Sequence, residues 1–164
     1  MKHYEHLRDI ITTFFKAKGI DVELEPSGSR GPDVVGTNAT LIGEVKHEKE
    51  LVRDLHSFFW SSWNSSKQKF GGKTFEYRLV EHLPDDVNNL SDRAKGWIAV
   101  IYGQMKYMAR NLGVSEAWIV YENHLLFEYS LQEAMLFLSS HNLSVADNPE
   151  HIDHVGFMRI TFLE

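Results

Sequence analysis

The chain contains no cysteine among its 164 residues, so disulfides, thiolate nucleophiles and Cys-ligated zinc are all excluded. Nowhere do about 18 apolar residues run together, so no membrane span is expected. The stretch MKHYEHLRDIITTFFKAKG has charges between its apolar residues and lacks the h-region of a signal peptide, which makes a cytoplasmic protein the expectation. No Walker loop, dinucleotide fingerprint or G-x-S-x-G elbow is present, and no internal repeat or low-complexity tract. Positive charge is scarce. Lys and Arg total 17 against 23 Asp and Glu, and the net charge of −6 counts against a protein that coats nucleic acid non-specifically. That sum does not exclude phosphate contact through local basic surface and bound metal, because it includes distant faces.

What is present is globular. A hydrophobic fraction of 43%, with ten Phe, six Tyr and four Trp, is enough for a substantial core. Tyr4, Leu7, Ile11, Phe14 and Phe15 recur at helical spacing, and Lys16, Lys18 and Gly19 close that helix well. Ile20 to Leu24 alternates as a strand would. Val34-Val35 and Thr40 to Val45 predict two strands joined across Gly36 to Ala39. Glu48 to Trp63 predicts an amphipathic helix, and Asn64 to Arg93 a loop with one short strand at Phe75 to Val80. Ala94 to Leu112 predicts a helix with Trp97, Ile101, Met105 and Met108 inward, followed by a buried strand at Glu116 to Tyr121. His124 to Tyr129 reads as a further strand. Ser130 with Glu133 reads as a capping box that opens a helix to about Ser140, before a last strand in VGFMRITFLE. The expectation is a single α/β domain, residues 1–164, with a central mixed sheet flanked by helices.

The stretch GPDVVGTNATLIGEVKHEKE carries the chemistry. Glu44 and Lys46 alternate onto one strand face. Asp33 joins them only in certain hairpin registers. A two-residue loop at Thr37-Asn38 pairs 33 with 42, whereas a loop at Asn38-Ala39, or one from Thr37 to Thr40, pairs 33 with 44. An odd loop without a bulge would turn Asp33 to the other face. Two carboxylates, the Val45 carbonyl and a lysine are what Mg²⁺-assisted phosphodiester hydrolysis needs: hard oxygen ligands and a cation near developing charge. Apolar Val34, Val35, Leu41 and Ile42 place these charges beside buried strands, where they must be paired or bind metal. With Asp, Glu and Lys at ~6% each, D-xₙ-E-x-K arises by chance ~0.6 times in such a chain; requiring Pro before Asp lowers that to ~0.03.

With Pro32-Asp33, Glu44-Val45-Lys46 and the preceding PSGSRG loop, the chain resembles the PD-(D/E)xK nuclease superfamily, whose restriction-endonuclease-like fold also includes archaeal Holliday-junction resolvases. The similarity covers about 4–46 and 94–121 as an αβββαβ core. It leaves 47–93 as a helical insert and 122–164 as a C-terminal extension. The resemblance implies a Mg²⁺-dependent DNA endonuclease, with Mn²⁺ as substitute, in which Asp33 and Glu44 hold metal with the Val45 carbonyl and Lys46 stabilises the hydroxide or the transition-state phosphate. It also implies Glu5 as a candidate extra ligand and Gln104 as a candidate nucleic-acid contact.

Other residues carry both readings. Glu5 is equally a solvated helix-start carboxylate, and Ser29 and Arg30 belong to an exposed polar loop that could meet phosphate. Lys67, Lys69 and Lys73 surround Phe70 in a Gly-rich segment suited to backbone contact, although loops are polar anyway. Trp60 and Trp63 could stack on bases, but core or interface is the plainer reading. His151 and His154 read as surface histidines, and His47 should face away from Lys46. The expected partner is DNA, with a homodimer to supply two sites for two strands. The alternative is a catalytically silent nucleic-acid-binding or assembly protein of the same fold.

Overall fold

The computed structural model describes residues 2–24, 33–37, 41–46, 66–70, 73–77, 83–122 and 124–162. Helix α1 spans Lys2–Lys16 and closes through Gly19, whose φ of 77° is the left-handed turn that glycine permits. Strands β1 (Val22–Leu24), β2 (Val34–Gly36) and β3 (Leu41–Lys46) follow as an antiparallel run. A separate hairpin pairs β4 (Ser66–Phe70) with β5 (Lys73–Tyr77). Helix α2 is built of three stretches: α-helical Asp92–Ile98, π-helical Ala99–Met105 and α-helical Lys106–Leu112. It ends at Gly113, again left-handed at φ 68°. Then come β6 (Glu116–Glu122), α3 (His124–Ser140), β7 (Ser144–Ala146), β8 (Glu150–Ile152) and β9 (Val155–Phe162).

The described strands form a mixed α/β architecture around one sheet of order β1-β2-β3-β6-β9-β7, with β8 also paired to β9. Its single parallel pair is β3 with β6, in register Glu44↔Ile119 and Lys46↔Tyr121. A parallel pair requires a crossover, and the chain makes it through the insert and α2. Both faces are covered. Leu7, Ile11, Phe14 and Phe15 of α1 pack on Val34, Leu41, Trp118, Val120 and Phe157. On the other face, Trp97, Ile101, Met105 and Met108 of α2 and Phe127, Leu131 and Leu138 of α3 pack on Ile42, Ile119 and Tyr121. Leu41 and Ile42 are both fully buried because they point to opposite, covered faces.

Four expectations change. His124 to Tyr129 is helix, the first part of α3, because Phe127, Leu131, Ala134 and Leu138 keep helical spacing toward the core. Ser130 therefore caps nothing: its hydroxyl donates to the Phe127 carbonyl and accepts from the Trp97 indole. Glu133 instead reaches Ser91, whose hydroxyl caps α2 by accepting from Ala94 N–H. Between Asn64 and Arg93, expected as a loop with one short strand at Phe75 to Val80, the described residues form a two-stranded hairpin and a 3-10 turn at Asp85–Asn89, and Lys67, Lys69 and Lys73 fall on the hairpin strands. The C-terminal extension is integral to the sheet, since β9 lies directly against β6. The predicted helix from Glu48 to Trp63, with Trp60 and Trp63, lies outside the described residues.

Candidate metal centre at the end of the hairpin

The hairpin register is Val34↔Gly43 and Val35↔Ile42. Continued by one residue, it sets Asp33 opposite Glu44, the arrangement of a loop at Asn38-Ala39 or from Thr37 to Thr40. Gly43 suits this register, because a Cβ there would come within 3.1 Å of the Val34 Cβ. Asp33, Glu44 and Lys46 thus share the sheet face that α2 and α3 cover, while Val34 and Leu41 take the α1 face.

The side chains are held tightly. Asp33 Oδ2 accepts the Val45 backbone N–H at 2.8 Å, which ties the carboxylate to the strand that carries the other two groups. In a strand, the N–H and C=O of one residue address the same neighbour, so the Val45 carbonyl faces the Asp33 side as well. Glu44 is 3% exposed and Lys46 7% exposed, and Lys46 Nζ lies 4.0 Å from Glu44 Oε2. A buried carboxylate and a buried ammonium side by side are retained at a desolvation cost that an apolar pair would avoid.

Two carboxylates and a main-chain carbonyl are all oxygen donors, a set that fits Mg²⁺, which binds through one or two carboxylates and keeps several waters. Among the described residues, there is no group of three or more His, Asp or Glu side chains that could hold a metal ion.

The remaining candidates scatter. Glu5 is exposed on α1, across the sheet from Glu44. Gln104 falls on the π-helical stretch of α2. Ser29, Arg30 and His47 lie outside the described residues.

The structure adds groups that the sequence reading passed over. Tyr121 sits beside Lys46 on the neighbouring strand. Its hydroxyl donates to Glu128 Oε1 at 3.2 Å, and burial together with that carboxylate pushes the phenol above its ordinary range. Glu128 also pairs with His151, and Glu122 with His154 at 3.1 Å. These histidines are therefore carboxylate partners rather than bare surface residues. A strand-end Tyr-Glu pair is weak as a sequence signal, and the partners lie 23 and 32 residues away.

No helix among the described residues is long and apolar enough to cross a membrane. No protein-family model, curated protein or solved structure matches the chain.

Proposed function

We propose that the protein is a metal-dependent DNA endonuclease of the PD-(D/E)xK type, cytoplasmic, with Asp33, Glu44 and Lys46 as its catalytic residues. The observation that carries the reading is the hairpin register, which brings Asp33 beside Glu44 on the face of Lys46. Asp33 and Glu44, with the Val45 carbonyl, would hold Mg²⁺ or Mn²⁺, and a bound ion would polarise water and the scissile phosphate. Lys46, buried beside Glu44, offers a fixed cation to the negative charge that grows on phosphate in the transition state. It pairs with Glu44, and its strand register sets it opposite Tyr121. Cutting both strands of a duplex would use two such sites, hence a homodimer.

The test is cleavage of supercoiled plasmid, linear duplex, single strand and a four-way junction by wild type and Asp33→Ala, each with Mg²⁺, Mn²⁺ or EDTA. Metal-dependent cutting lost in a folded variant is expected. A folded Asp33→Ala protein that cuts as well as wild type would remove the site.

One observation favours a second reading. The Glu44–Lys46 pair already compensates its own charge at 4.0 Å, as a catalytically silent DNA-binding or assembly protein of the same fold would need. Titration calorimetry with Mn²⁺ separates the two: heat that disappears in Asp33→Ala supports the metal centre, and no heat supports the silent protein.

A further inference from the structure

At the opposite end of the sheet from the hairpin site lies a cavity of about 470 Å³. One wall is the last two turns of α2, with Lys106 and Arg110, and the other is formed by Ser115 ahead of β6 and by Thr161 and Phe162 at the end of β9. Lys106 and Arg110 are four apart on a helix, so their cations stand side by side and repel. Among the described residues that line it, none is a carboxylate. Among the described residues neither cation makes an ion pair, whereas Lys18 is paired with Glu150, and Arg159 with Asp147 and Glu116. In a chain with six more acidic than basic residues (23 against 17), two neighbouring cations with no acid paired to them among the described residues are conspicuous.

Both cations are also held in place. Lys106 Nζ lies 4.3 Å from the Tyr102 ring centroid, and the Arg110 guanidinium 6.0 Å from that of Tyr107. Burial, then the charge of Arg110, draws the Lys106 ammonium below its ordinary range. The attraction of a bound anion would oppose both effects by favouring the charged ammonium. The Arg110 position at the end of α2 suits the helix dipole, but that does not account for the half-buried Lys106 beside it, nor for the hydroxyls across the cavity.

We propose that this cavity binds a phosphate group, with Lys106 and Arg110 meeting phosphoryl oxygens and the Ser115 and Thr161 hydroxyls donating from the facing wall. Two cations and two hydroxyl donors match a phosphate, with its several oxygens and one charge as a diester or up to two as a monoester, better than a carboxylate, and the guanidinium fork suits phosphate geometry. The phosphate can belong to a nucleic-acid backbone or to a small molecule. From Ser115 to Tyr121, beside Lys46, strand β6 covers about 20 Å at ~3.3 Å per residue, close to six base pairs along a duplex axis at ~3.4 Å each. The proposal does not rest on the hairpin being catalytic.

The experiment is binding in EDTA, by fluorescence anisotropy with a 20-base-pair duplex and a 20-nucleotide single strand, and by calorimetry with inorganic phosphate. The proteins are wild type, Lys106→Gln, Arg110→Gln, the double variant and, as charge control, Lys18→Gln. Circular dichroism checks that each is folded, and the single variants stand in if the double does not fold. A backbone site predicts oligonucleotide affinity reduced roughly tenfold or more in the double variant, and a salt slope lowered by about 1 per cation removed. A small-phosphate site predicts phosphate heat in wild type that vanishes in the double variant, with oligonucleotide binding unchanged. No binding of any probe by wild type, or equal weakening by Lys18→Gln, overturns the proposal. Binding that depends on Lys106 and Arg110, together with no cleavage of the plasmid, duplex, single-strand and junction panel in Mg²⁺ or Mn²⁺, would leave this site standing and remove the nuclease reading.

Discussion

Replacing Glu44 and Lys46, singly and together, probes what the hairpin site costs the fold. Both side chains are almost fully buried and their charged atoms are 4.0 Å apart. At an effective dielectric of ~20, that separation corresponds to an attraction of about 4 kcal/mol. Removing one partner forfeits the attraction and leaves the other charge in a desolvated place, an expected loss of about 3–5 kcal/mol for Glu44→Leu or Lys46→Met. The double variant removes both desolvation penalties and keeps the volume, so it should lie within about 1 kcal/mol of wild type or be more stable. The coupling between the two positions, the sum of the single losses less that of the double, is then about 5 kcal/mol or larger. Urea unfolding in EDTA measures each midpoint, and thermal melting should show the single variants roughly 6–20 °C below wild type. If the three free energies add within about 0.5 kcal/mol, the two charges do not interact and the account of the pair is wrong. Cleavage adds a second axis. Stability returns in the double variant but activity should not, and a double variant that cuts would strip both residues of their assigned roles.

Two further outcomes follow from Tyr121. A Cβ added at Gly156 would lie 2.4 Å from its ring atoms, so the ring must retreat by about 1 Å and give up its bond to Glu128. Gly156→Ala should therefore cost about 2–4 kcal/mol, and pairing it with Tyr121→Leu should be clearly less than additive; a melting point within 1 °C of wild type would refute the wedge. The raised Tyr121 pKa also sets a pH dependence, because the buried phenol holds its proton while the unfolded one does not. Its contribution is complete below about pH 10, the ordinary tyrosine value, and is lost as pH rises above it. Denaturation midpoints of wild type should fall above that pH more steeply than those of Tyr121→Phe, and parallel curves would count against it.

The parts legible in the sequence are those whose signal is local. Helix α1 showed its stripe because Leu7, Ile11, Phe14 and Phe15 face one neighbour, and the hairpin showed its strands because both carry apolar residues. What the pattern left open there was loop parity, a backbone choice made at 37–40 that no side chain announces. The start of α3 misled for a definite reason. Leu125 and Tyr129 are exposed while Phe127 and Leu131 are buried, a four-residue repeat that only burial reveals; in the sequence, HLLFEY is a short apolar run that suits strand and helix equally. Only Ala134, Met135 and Leu138 distinguish the helix. The Glu122–His154 and Glu128–His151 pairs were illegible because each joins elements distant in sequence, through a strand that read as an appended end.

The π-helical stretch of α2 has a consequence of phase. An α-helix advances about 100° per residue, so one extra residue would normally swing everything after it away from the core. A wide turn absorbs such an extra residue locally. Here Trp97 and Ile98 before Ala99–Met105, and Met108 and Ala109 after it, all remain buried. The helix thus behaves as two shafts joined by a coupling that tolerates a change in count. One shaft is keyed to Tyr121 through Trp97, near the hairpin. The other carries Lys106 and Arg110. Either can accept altered spacing at the coupling without rotating the face its partner presents.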